Sequence, residues 1–308
     1  ATSWFGRDYV AFGHTTPTAA GFGLPGVYSI TEPATRDIWS NELRFASAFE
    51  GPFQLVAGVA YQRDDNVYEN VVAQSNLNET LGCAFFADCV QQGDAIRIVS
   101  ARNVTSDFKS WAFFAEGEYQ LSDAFTLTVG IRQFKSEQAN RELTLQSLRP
   151  PFPTVPVQTT PTLALEEVTK NDKTSFNFAL TYEPTDDLTF YGRAASGFRQ
   201  GGINNAAFAA NFGTEIPAGF NPDEVWNYEV GVKGVTPNRI FRFEAALFRI
   251  DWKDQQVPAV SANGAFVFTT NAGKSVVNGF EFEGTALPMD GLSLSLGVLA
   301  FLLDRGHK

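Results

Sequence analysis

The chain has 308 residues, a net charge of −11 at pH 7, 29 phenylalanines, 2 histidines and 2 cysteines. Its length is enough to bury a sizeable core in one large or two ordinary domains. The acidic balance, with no cluster of Lys and Arg, excludes a nucleic-acid partner, and the few His and Cys residues leave little scope for metal or thiol chemistry.

The chain begins with "ATSWFGRDYV", which lacks the basic and then apolar run of a signal peptide. We therefore expect either a mature chain or a piece cut from a longer one. Residues 1–37 are predicted to be a loop, with room for the end of an earlier strand. No apolar run reaches about 18 residues, so no transmembrane helix is predicted.

From residue 38 to residue 298, apolar residues recur at every second position wherever the pattern is strong. This period of two is typical of strands, whose successive side chains point to opposite faces. We predict ten strands, each of about 9–11 residues, and at most two helical turns in 204–212. The clearest strand segments are 111–121, 125–133, 176–183, 226–233 and 280–286.

The predicted strands come in pairs, and each pair is joined by a short turn rich in Gly, Pro, Asp and Asn. These turns are 48–53, 120–125, 183–188, 234–239 and 287–292. Long polar stretches separate the pairs: 62–106, 134–172, 199–224 and 252–275. Loops of this length are uncommon in compact soluble domains. Short turns at one end and long loops at the other are typical of outer-membrane barrels.

A soluble β-sandwich would show the same alternation, so the placement of aromatic residues decides between the two folds. Three tryptophans lie near the long-loop ends of the predicted strands, and three other rings lie near the short-turn ends: Trp39, Trp111 and Trp226, and Tyr119, Phe125 and Tyr182. Two aromatic belts around an aliphatic band are typical of membrane barrels. We therefore predict an all-β, antiparallel, up-and-down transmembrane β-barrel.

The stretch 188–205, "LTFYGRAASGFRQGGINN", begins as an alternating strand and ends in a glycine-rich segment. Leu188 and Phe190 are predicted on the lipid side, and Arg193 and Arg199 on the interior side. A phosphate-binding loop would need a helix after it to offer backbone N–H groups, and no sustained helical pattern follows. The glycine-rich segment is therefore interpreted as the rim where a strand gives way to a long loop.

Five segments resemble TonB-dependent outer-membrane receptors of a sphingomonad-like type: "SNELRFAS" (40–47), "GPFQLVAGVAYQ" (51–62), "FYGRAASGFRQGGIN" (190–204), "NYEVGVKG" (227–234) and "NGFEFEGTA" (278–286). The resemblance covers about 38–298 and implies a 22-strand barrel around an N-terminal plug. Ten strands cannot close that circumference. Residues 38–298 are therefore interpreted as a partial barrel without the plug and the C-terminal strands, and 299–308 as an atypical tail that leaves the strand pattern after Val298.

The resemblance implies energy-coupled uptake of a scarce ligand, such as an iron-siderophore complex, across the outer membrane of a Gram-negative bacterium. The implied partners are the lipid bilayer, a small-molecule ligand such as a metal chelate, and the TonB-ExbB-ExbD complex, which acts through the missing plug. No cofactor is implied. A passive outer-membrane porin and a soluble all-β binding module are the alternatives.

Candidate site residues are few. Cys83 and Cys89 are expected to form a local disulfide, because no further Cys or His in their loop completes a metal site. At the rim, Arg199, Gln200 and Asn204 are predicted ligand contacts, because binding residues concentrate on loops held by a rigid scaffold. Charged residues predicted to face the lumen are Glu116, Glu118, Arg132, Arg193, Glu229, Lys233, Arg242, Glu244, Glu281 and Glu283.

Those lumen charges have two interpretations: they pair across strands in a hydrated wall, or they contact the plug and passing substrate. Catalysis has little support in the sequence. The two histidines, His14 and His307, lie in the N-terminal loop and in the tail, and a hydrolytic triad needs a histidine among the strand ends. We predict no enzyme activity, no catalytic residue and no metal site.

Overall fold

The computed structural model describes residues 2–14, 28–74, 98–146, 162–210 and 213–305. Eleven strands in these ranges form one antiparallel sheet. They are β1 (Thr2–His14), β2 (Tyr28–Ala46), β3 (Phe53–Gln74), β4 (Ile98–Ser122), β5 (Phe125–Gln146), β6 (Thr162–Thr185), β7 (Leu188–Arg199), β10 (Asp223–Val235), β11 (Phe241–Lys253), β14 (Ser275–Met289) and β15 (Leu292–Arg305). Short elements lie in the two loops after β7 and β11: β8 (Gly202–Ile203), α1 (Ala206–Ala210) and β9 (Gly219–Phe220), then β12 (Gln256–Val260) and β13 (Val267–Asn271).

Each main strand pairs with the next main strand along the chain, which is the predicted up-and-down order. The turns at one end are short, and β4–β5, β6–β7 and β14–β15 are joined by two residues each. In the last of these turns Gly291 has a φ of 80°, a left-handed conformation that glycine adopts without strain. The predicted short turns are confirmed.

The sheet is a single layer with β1 and β15 at its edges, and in the described ranges these edges do not pair with each other. Among the described residues only seven hydrophobic side chains are buried, and five of them are alanines. A β-sandwich needs a second sheet and a continuous apolar core between the two. Besides the main sheet, the described part of the chain has only two-stranded ribbons in its loops, and it has no such core, so the structure favours the barrel wall.

No helix among the described residues combines the length and the apolar character that a membrane span requires.

Aromatic rings form two belts on one face of the sheet, which we call the apolar face. Near the long loops, the ring centroids of Trp39 and Tyr61 lie 5.4 Å apart, and those of Tyr61 and Trp111 lie 4.5 Å apart. Near the short turns, Phe125 stacks on Tyr182 at 4.4 Å. Edge and stacked ring pairs of this kind stabilise both belts. The two belts predicted from the sequence are confirmed.

The band between the belts exposes large apolar side chains. Phe113, Val230 and Leu247 are 55%, 59% and 58% exposed. Trp111 and Tyr119 are eight residues apart on β4, which is roughly 26 Å along the strand at the usual rise. This matches the height of the lipid-facing band of outer-membrane barrels, so hydrocarbon is the solvent that this surface fits.

Strands β3 to β6 are longer than predicted. They contain 22 to 25 residues each, about twice the 9–11 that cross a bilayer. The boundaries predicted for the loops 62–106 and 134–172 are therefore wrong, because much of each stretch continues the ladder. The sequence hides this extension because the alternation of apolar residues stops at the upper belt.

Above that belt the apolar face gives way to charged residues that form ion pairs along and across the strands. Arg63 lies 2.9 Å from Asp65 and 3.2 Å from Asp107, and Lys170 lies 2.9 Å from Glu137. The opposite face is also polar there. Both faces of these strand segments are therefore suited to water. A strand whose two faces are both hydrated shows no alternation of apolar and polar residues, so the sequence pattern does not identify it.

Both ends of the sheet also differ from the prediction. The stretch 1–37 contains β1 and the first part of β2, so the sheet has eleven main strands instead of ten. Strand β15 continues past Val298 to Arg305. Leu299 and Leu302 point to opposite faces and are 59% and 78% exposed. Because both faces of this strand are apolar, the period of two is lost and the strand resembles a tail.

Candidate functional site at the long-loop end of the sheet

A buried carboxylate organises the rim at the long-loop end. Arg199 ends β7 and lies opposite Asp223, the first residue of β10. Asp223 is only 1% exposed. Its carboxylate accepts hydrogen bonds from the backbone N–H and guanidinium of Arg199, from Trp252 Nε1 at 3.0 Å, and from the backbone N–H of Gln256 at 3.1 Å.

Burial disfavours the charged form of Asp223, but hydrogen bonds from Arg199, Gln256 and Trp252 outweigh that effect, so the pKa of this carboxyl is lowered. The Arg199 guanidinium also lies 4.9 Å from the centre of the Trp252 ring and donates to the Gln256 carbonyl at 3.0 Å. A cation over an indole face is itself attractive. One carboxylate thus connects β7, β10, β11 and the start of β12.

The loops after β7 and β11 are held together by side chains that bond to backbone. Gln256 Nε2 donates to the carbonyls of Gln200 at 2.8 Å and Asn221 at 3.0 Å. The Asn204 amide donates to the Thr269 carbonyl at 2.8 Å and accepts from the Thr269 N–H at 2.9 Å. Loop 200–222 and the β12–β13 hairpin therefore form one fastened unit.

The glycine-rich segment lies against the polar side chains of β5 and β6. Ser136 Oγ donates to Gln200 Oε1 at 3.1 Å, and the Gly201 N–H donates to Asn171 Oδ1 at 3.2 Å. A Cβ on Gly201 would meet the Phe220 carbonyl at 2.6 Å. The glycine is thus required because two backbone segments approach closely. The helix that follows, α1, has only five residues.

Two adjoining cavities, of about 440 and 400 Å³, are lined by residues of loop 200–222 and by polar side chains of β2 to β5. They share Asn66, Ser106 and Gln138, and we call them together the loop-end cavity. Its polar wall consists of Arg36, Gln62, Asp64, Asn66, Tyr68, Ser106, Gln138, Asn140, Glu142, Gln200, Asn204 and Asn205.

Glu142 is the most deeply buried acid in that wall. It is 1% exposed, and its Oε1 has no hydrogen-bond partner among the described residues. Burial raises the pKa of Glu142, and the positive charge of Arg102 opposes the rise. The Arg102 guanidinium lies 5.5 Å from the centre of the Tyr68 ring. With the Asn205 amide oriented so that its oxygen accepts, Arg102 Nη1 and Nη2 donate to it at 2.9 Å.

The polar face between the belts carries hydrogen-bonded charges. Tyr191 O–H donates to Glu229 Oε1 at 2.8 Å. Asn177 donates to Glu116 Oε2 at 2.9 Å and accepts from Arg193 Nε at 3.0 Å, so one amide joins two opposite charges. The strand register places all ten predicted lumen residues on this face: Glu116, Glu118, Arg132, Arg193, Glu229, Lys233, Arg242, Glu244, Glu281 and Glu283.

The sequence matches the family model described as TonB dependent receptor-like, beta-barrel, over residues 1–306. The chain belongs to this family. Among solved structures it is similar to the ferric yersiniabactin uptake receptor FyuA from Yersinia pestis, with 16% identity and a TM-score of 0.70 over 99% of this chain and 39% of that one. It is also similar to the copper transporter OprC, with 12% identity and a TM-score of 0.68 over 99% and 43% of the two chains.

A third similar structure is the closed form of the ferric-catecholate import receptor Fiu from E. coli K12, with 16% identity and a TM-score of 0.58 over 97% of this chain and 44% of that one. Identities this low show a shared fold alone. The chain spans 39% to 44% of the length of these three structures. What a whole receptor binds and moves is therefore taken up below as a proposal.

Membership of the TonB-dependent receptor family orients the sheet. In outer-membrane barrels the short turns face the periplasm and the long loops face the outside. The apolar face then meets lipid, the polar face lines the lumen, and the loop-end cavity lies at the extracellular end. Members of this family are outer-membrane receptors of Gram-negative bacteria, not enzymes. The sphingomonad-like subtype stays a prediction.

The three predicted rim residues lie together at the extracellular end. Gln200 and Asn204 border the loop-end cavity, and Arg199 is bound to Asp223. As ligand contacts, all three stay predictions. Sequence reasoning does not identify Asp223, because it follows Pro222 and resembles a turn residue. The sequence signal that could have identified Asp223 is its position. It is a polar residue at the start of an alternating strand, in register with the lumen-facing positions.

Glu142 is also missed by sequence reasoning, because it lies in a stretch expected to be a loop. If the strand had been expected to continue beyond the upper belt, Glu142 would have been placed in the lumen wall.

Cys83, Cys89 and His307 lie outside the described residues, as does the side chain of His14. The disulfide therefore stays a prediction. Among the described residues, no group of three or more His, Cys, Asp and Glu side chains is arranged to hold a metal ion.

Proposed function

We propose that this chain is part of a receptor that imports a scarce ligand, such as an iron-siderophore complex, across the outer membrane of a Gram-negative bacterium. The observation that carries the proposal is the family match together with a polar cavity at the extracellular end of the barrel wall. The fastened loops beside that cavity support it, because a preformed site loses less entropy when it binds a ligand.

Three similar structures support a scarce metal-bearing ligand. They are a ferric yersiniabactin uptake receptor, a ferric-catecholate import receptor and a copper transporter. In the proposed cycle the extracellular loops capture the ligand, and the TonB-ExbB-ExbD complex supplies energy through a plug domain. This chain supplies the wall of the pore and has no part in covalent chemistry.

Within this proposal the rim residues have two different roles. Gln200 and Asn204 border the cavity and meet the ligand. Arg199 acts through Asp223, because it fixes the two loops that shape the entrance. The lumen charges form the hydrated wall along which the ligand passes. The apolar face with its two belts holds the wall in the lipid bilayer.

The test is uptake of a radiolabelled ferric siderophore by cells that express the receptor containing this chain. We expect accumulation that stops when TonB is deleted or when a protonophore removes the proton gradient. A passive porin is the alternative function. Uptake that continues unchanged without TonB, together with a steady ion conductance in planar bilayers, would show that the porin is correct and the proposal wrong.

A further inference from the structure

We propose that the loop-end cavity takes an uncharged part of the ligand that is rich in hydrogen-bond donors, with hydroxyl or amide N–H groups. This inference rests on the uptake function proposed above and names the class of ligand that the same site accepts. Two sources share this chemistry: a neutral ferric hydroxamate and an oligosaccharide. A polyanionic chelate such as a ferric tris-catecholate does not.

The wall offers neutral dipoles. The three residues shared by both parts of the cavity are Asn66, Ser106 and Gln138, and Asn140 and Asn205 lie further along the same wall. Carboxamides and hydroxyls donate and accept at the same time, so they match ligands that do the same. Bonds between neutral groups recognise shape and polarity without requiring a charge on the ligand.

Most of the charged side chains at or next to this wall already have ion-pair or hydrogen-bond partners inside the protein. Arg36 and Asp64 form a bidentate ion pair, with Arg36 Nε 2.9 Å and Nη2 2.5 Å from the carboxylate oxygens. Glu32, behind the wall, accepts from Tyr68 O–H at 2.6 Å and from Asn70 at 3.0 Å. Groups engaged in this way are not available to compensate a charged ligand.

Glu142 is the charged wall residue that retains bonding capacity. Glu142 borders the cavity and is buried, and its Oε1 has no hydrogen-bond partner among the described residues. A buried acceptor left unsatisfied is costly, and a ligand O–H or N–H placed there removes that cost. An anionic ligand would instead face this carboxylate at close range. For a cationic ligand, the positive charge of Arg102, which acts on Glu142, offsets the attraction of that carboxylate.

The remaining wall is apolar. Val104, Leu165, Ile203 and Phe220 line the same cavity. An apolar surface beside a row of amides suits molecules that carry both C–H groups and hydroxyl or amide groups, as sugars and peptide-like hydroxamates do. The net charge of −11 further disfavours the approach of a polyanion.

The first experiment compares three probes on the receptor that contains this chain, purified in detergent. Calorimetry measures the Kd of a neutral ferric trihydroxamate, a neutral linear oligosaccharide and a trianionic ferric tris-catecholate. At least one neutral probe is expected to bind about tenfold or more tightly than the trianion, because like charges brought together in an interface cost several kcal/mol. Whichever neutral probe binds identifies the source.

Tighter binding of the trianion than of both neutral probes would overturn the inference, and so would binding of none of the three. A second experiment uses Glu142→Gln, which keeps the size of the side chain and removes its charge. The affinity for the neutral probe should fall about three- to tenfold, because a neutral acceptor bonds more weakly. The affinity for the trianion should rise, and a merely structural role would not produce opposite changes.

The matched control is Glu137→Gln, on the same strand but on the outer face, where Glu137 pairs with Lys170. It should leave all three affinities unchanged. Should Glu142→Gln fail to fold, Asn66→Ala gives the second reading, because Asn66 borders both parts of the cavity. It should weaken the neutral probe alone, and equal weakening of every probe would contradict the inference.

These binding measurements need no energy source, so they separate the two proposals. Neutral-probe binding without TonB-dependent uptake would overturn the transport function and leave the ligand class standing. TonB-dependent uptake of a trianionic chelate would support the transport function and overturn the ligand class.

Discussion

The same strands run through two different environments in this molecule. Between the aromatic belts, one face is apolar and exposed, as at Phe113 and Val230, and the other carries hydrogen-bonded charges. Above the upper belt, charges such as Arg63 and Lys170 cover the outer face, and amides and acids cover the inner one. The backbone ladder is continuous across the boundary.

The comparison separates what holds the wall from what shapes the entrance. In the lower region, stability comes from matching each face to its solvent, because the strands between the two edges satisfy their backbone hydrogen bonds within the sheet. In the upper region, both faces are wet and solvent matching decides nothing. The structure there depends on specific polar contacts, such as those of the buried Asp223.

The largest expected effect is a loss of stability in the region between the aromatic belts. Val129 is 43% exposed in the middle of the lipid-facing band, and Val129→Arg should reduce the free energy of unfolding by about 2–4 kcal/mol because it places a charge in hydrocarbon. Thr128→Arg is the control, since it puts the same group on the lumen face opposite Glu118. Urea unfolding in lipid vesicles measures both, and equal losses would show that neither face meets lipid.

The second largest expected effect is a loss of stability at the rim above the upper belt. Asp223→Ala removes the acceptor shared by Arg199, Trp252 and Gln256, and should destabilise the rim by about 2–3 kcal/mol because buried donors lose their partner. Hydrogen exchange of backbone amides in 254–274 should accelerate accordingly. Glu224→Ala is the neighbouring control, because Glu224 makes an exposed ion pair with Lys173 and such pairs contribute about 0–1 kcal/mol.

A smaller effect concerns the close approach of two backbone segments at the rim. Gly201→Ala adds a Cβ that meets the Phe220 carbonyl at 2.6 Å, and should cost about 1–2 kcal/mol as β8 and β9 move apart. Gly51→Ala in a short turn is the control, because nothing lies within 4 Å of its Cβ. Thermal unfolding in detergent compares the two variants. If both shift the midpoint equally, the close contact is not the cause.

The smallest effect is a pH dependence that sharpens the contrast. The pKa of Asp223 is lowered in the folded protein. Its contribution to the stability of the rim is therefore fully present above the usual Asp pKa of about 3.9. This contribution is lost as the pH falls through the lowered pKa of the folded state. Trp252 emission should therefore shift to the red only at strongly acidic pH. Asp223→Asn, which does not titrate, should lack this step, and a step that persists in the variant would assign it to another group.

The contrast between the regions also explains how far the sequence could predict the structure. Alternation such as Trp111, Phe113 and Tyr119 reveals a strand only where its two faces meet different solvents, so the belts, the short turns and the up-and-down order are predictable. The upper halves of β3 to β6 are not, because polar residues there alternate with polar residues. The tail beyond Val298 fails for the opposite reason, since both faces of β15 are apolar.

The site divides in the same way. Arg199, Gln200 and Asn204 can be predicted as rim residues because a strand visibly ends beside them. Asp223 and Glu142 are missed because their importance comes from neighbours distant in sequence, such as Trp252 and Arg102, which only the fold brings close. Whether Cys83 and Cys89 are joined stays a prediction that thiol labelling with and without reductant can decide.

The continuation of β5 beyond the upper belt has a consequence for where capture occurs. Lys135 lies opposite Trp111 at the level of that belt, and Glu142 is seven residues further along the strand, roughly 23 Å at the usual rise. The loop-end cavity therefore lies clear of the lipid, at the level of the medium around the cell. The salt concentration and acidity of the habitat act directly on the mouth of this cavity, whereas burial shields the Glu142 carboxylate from them.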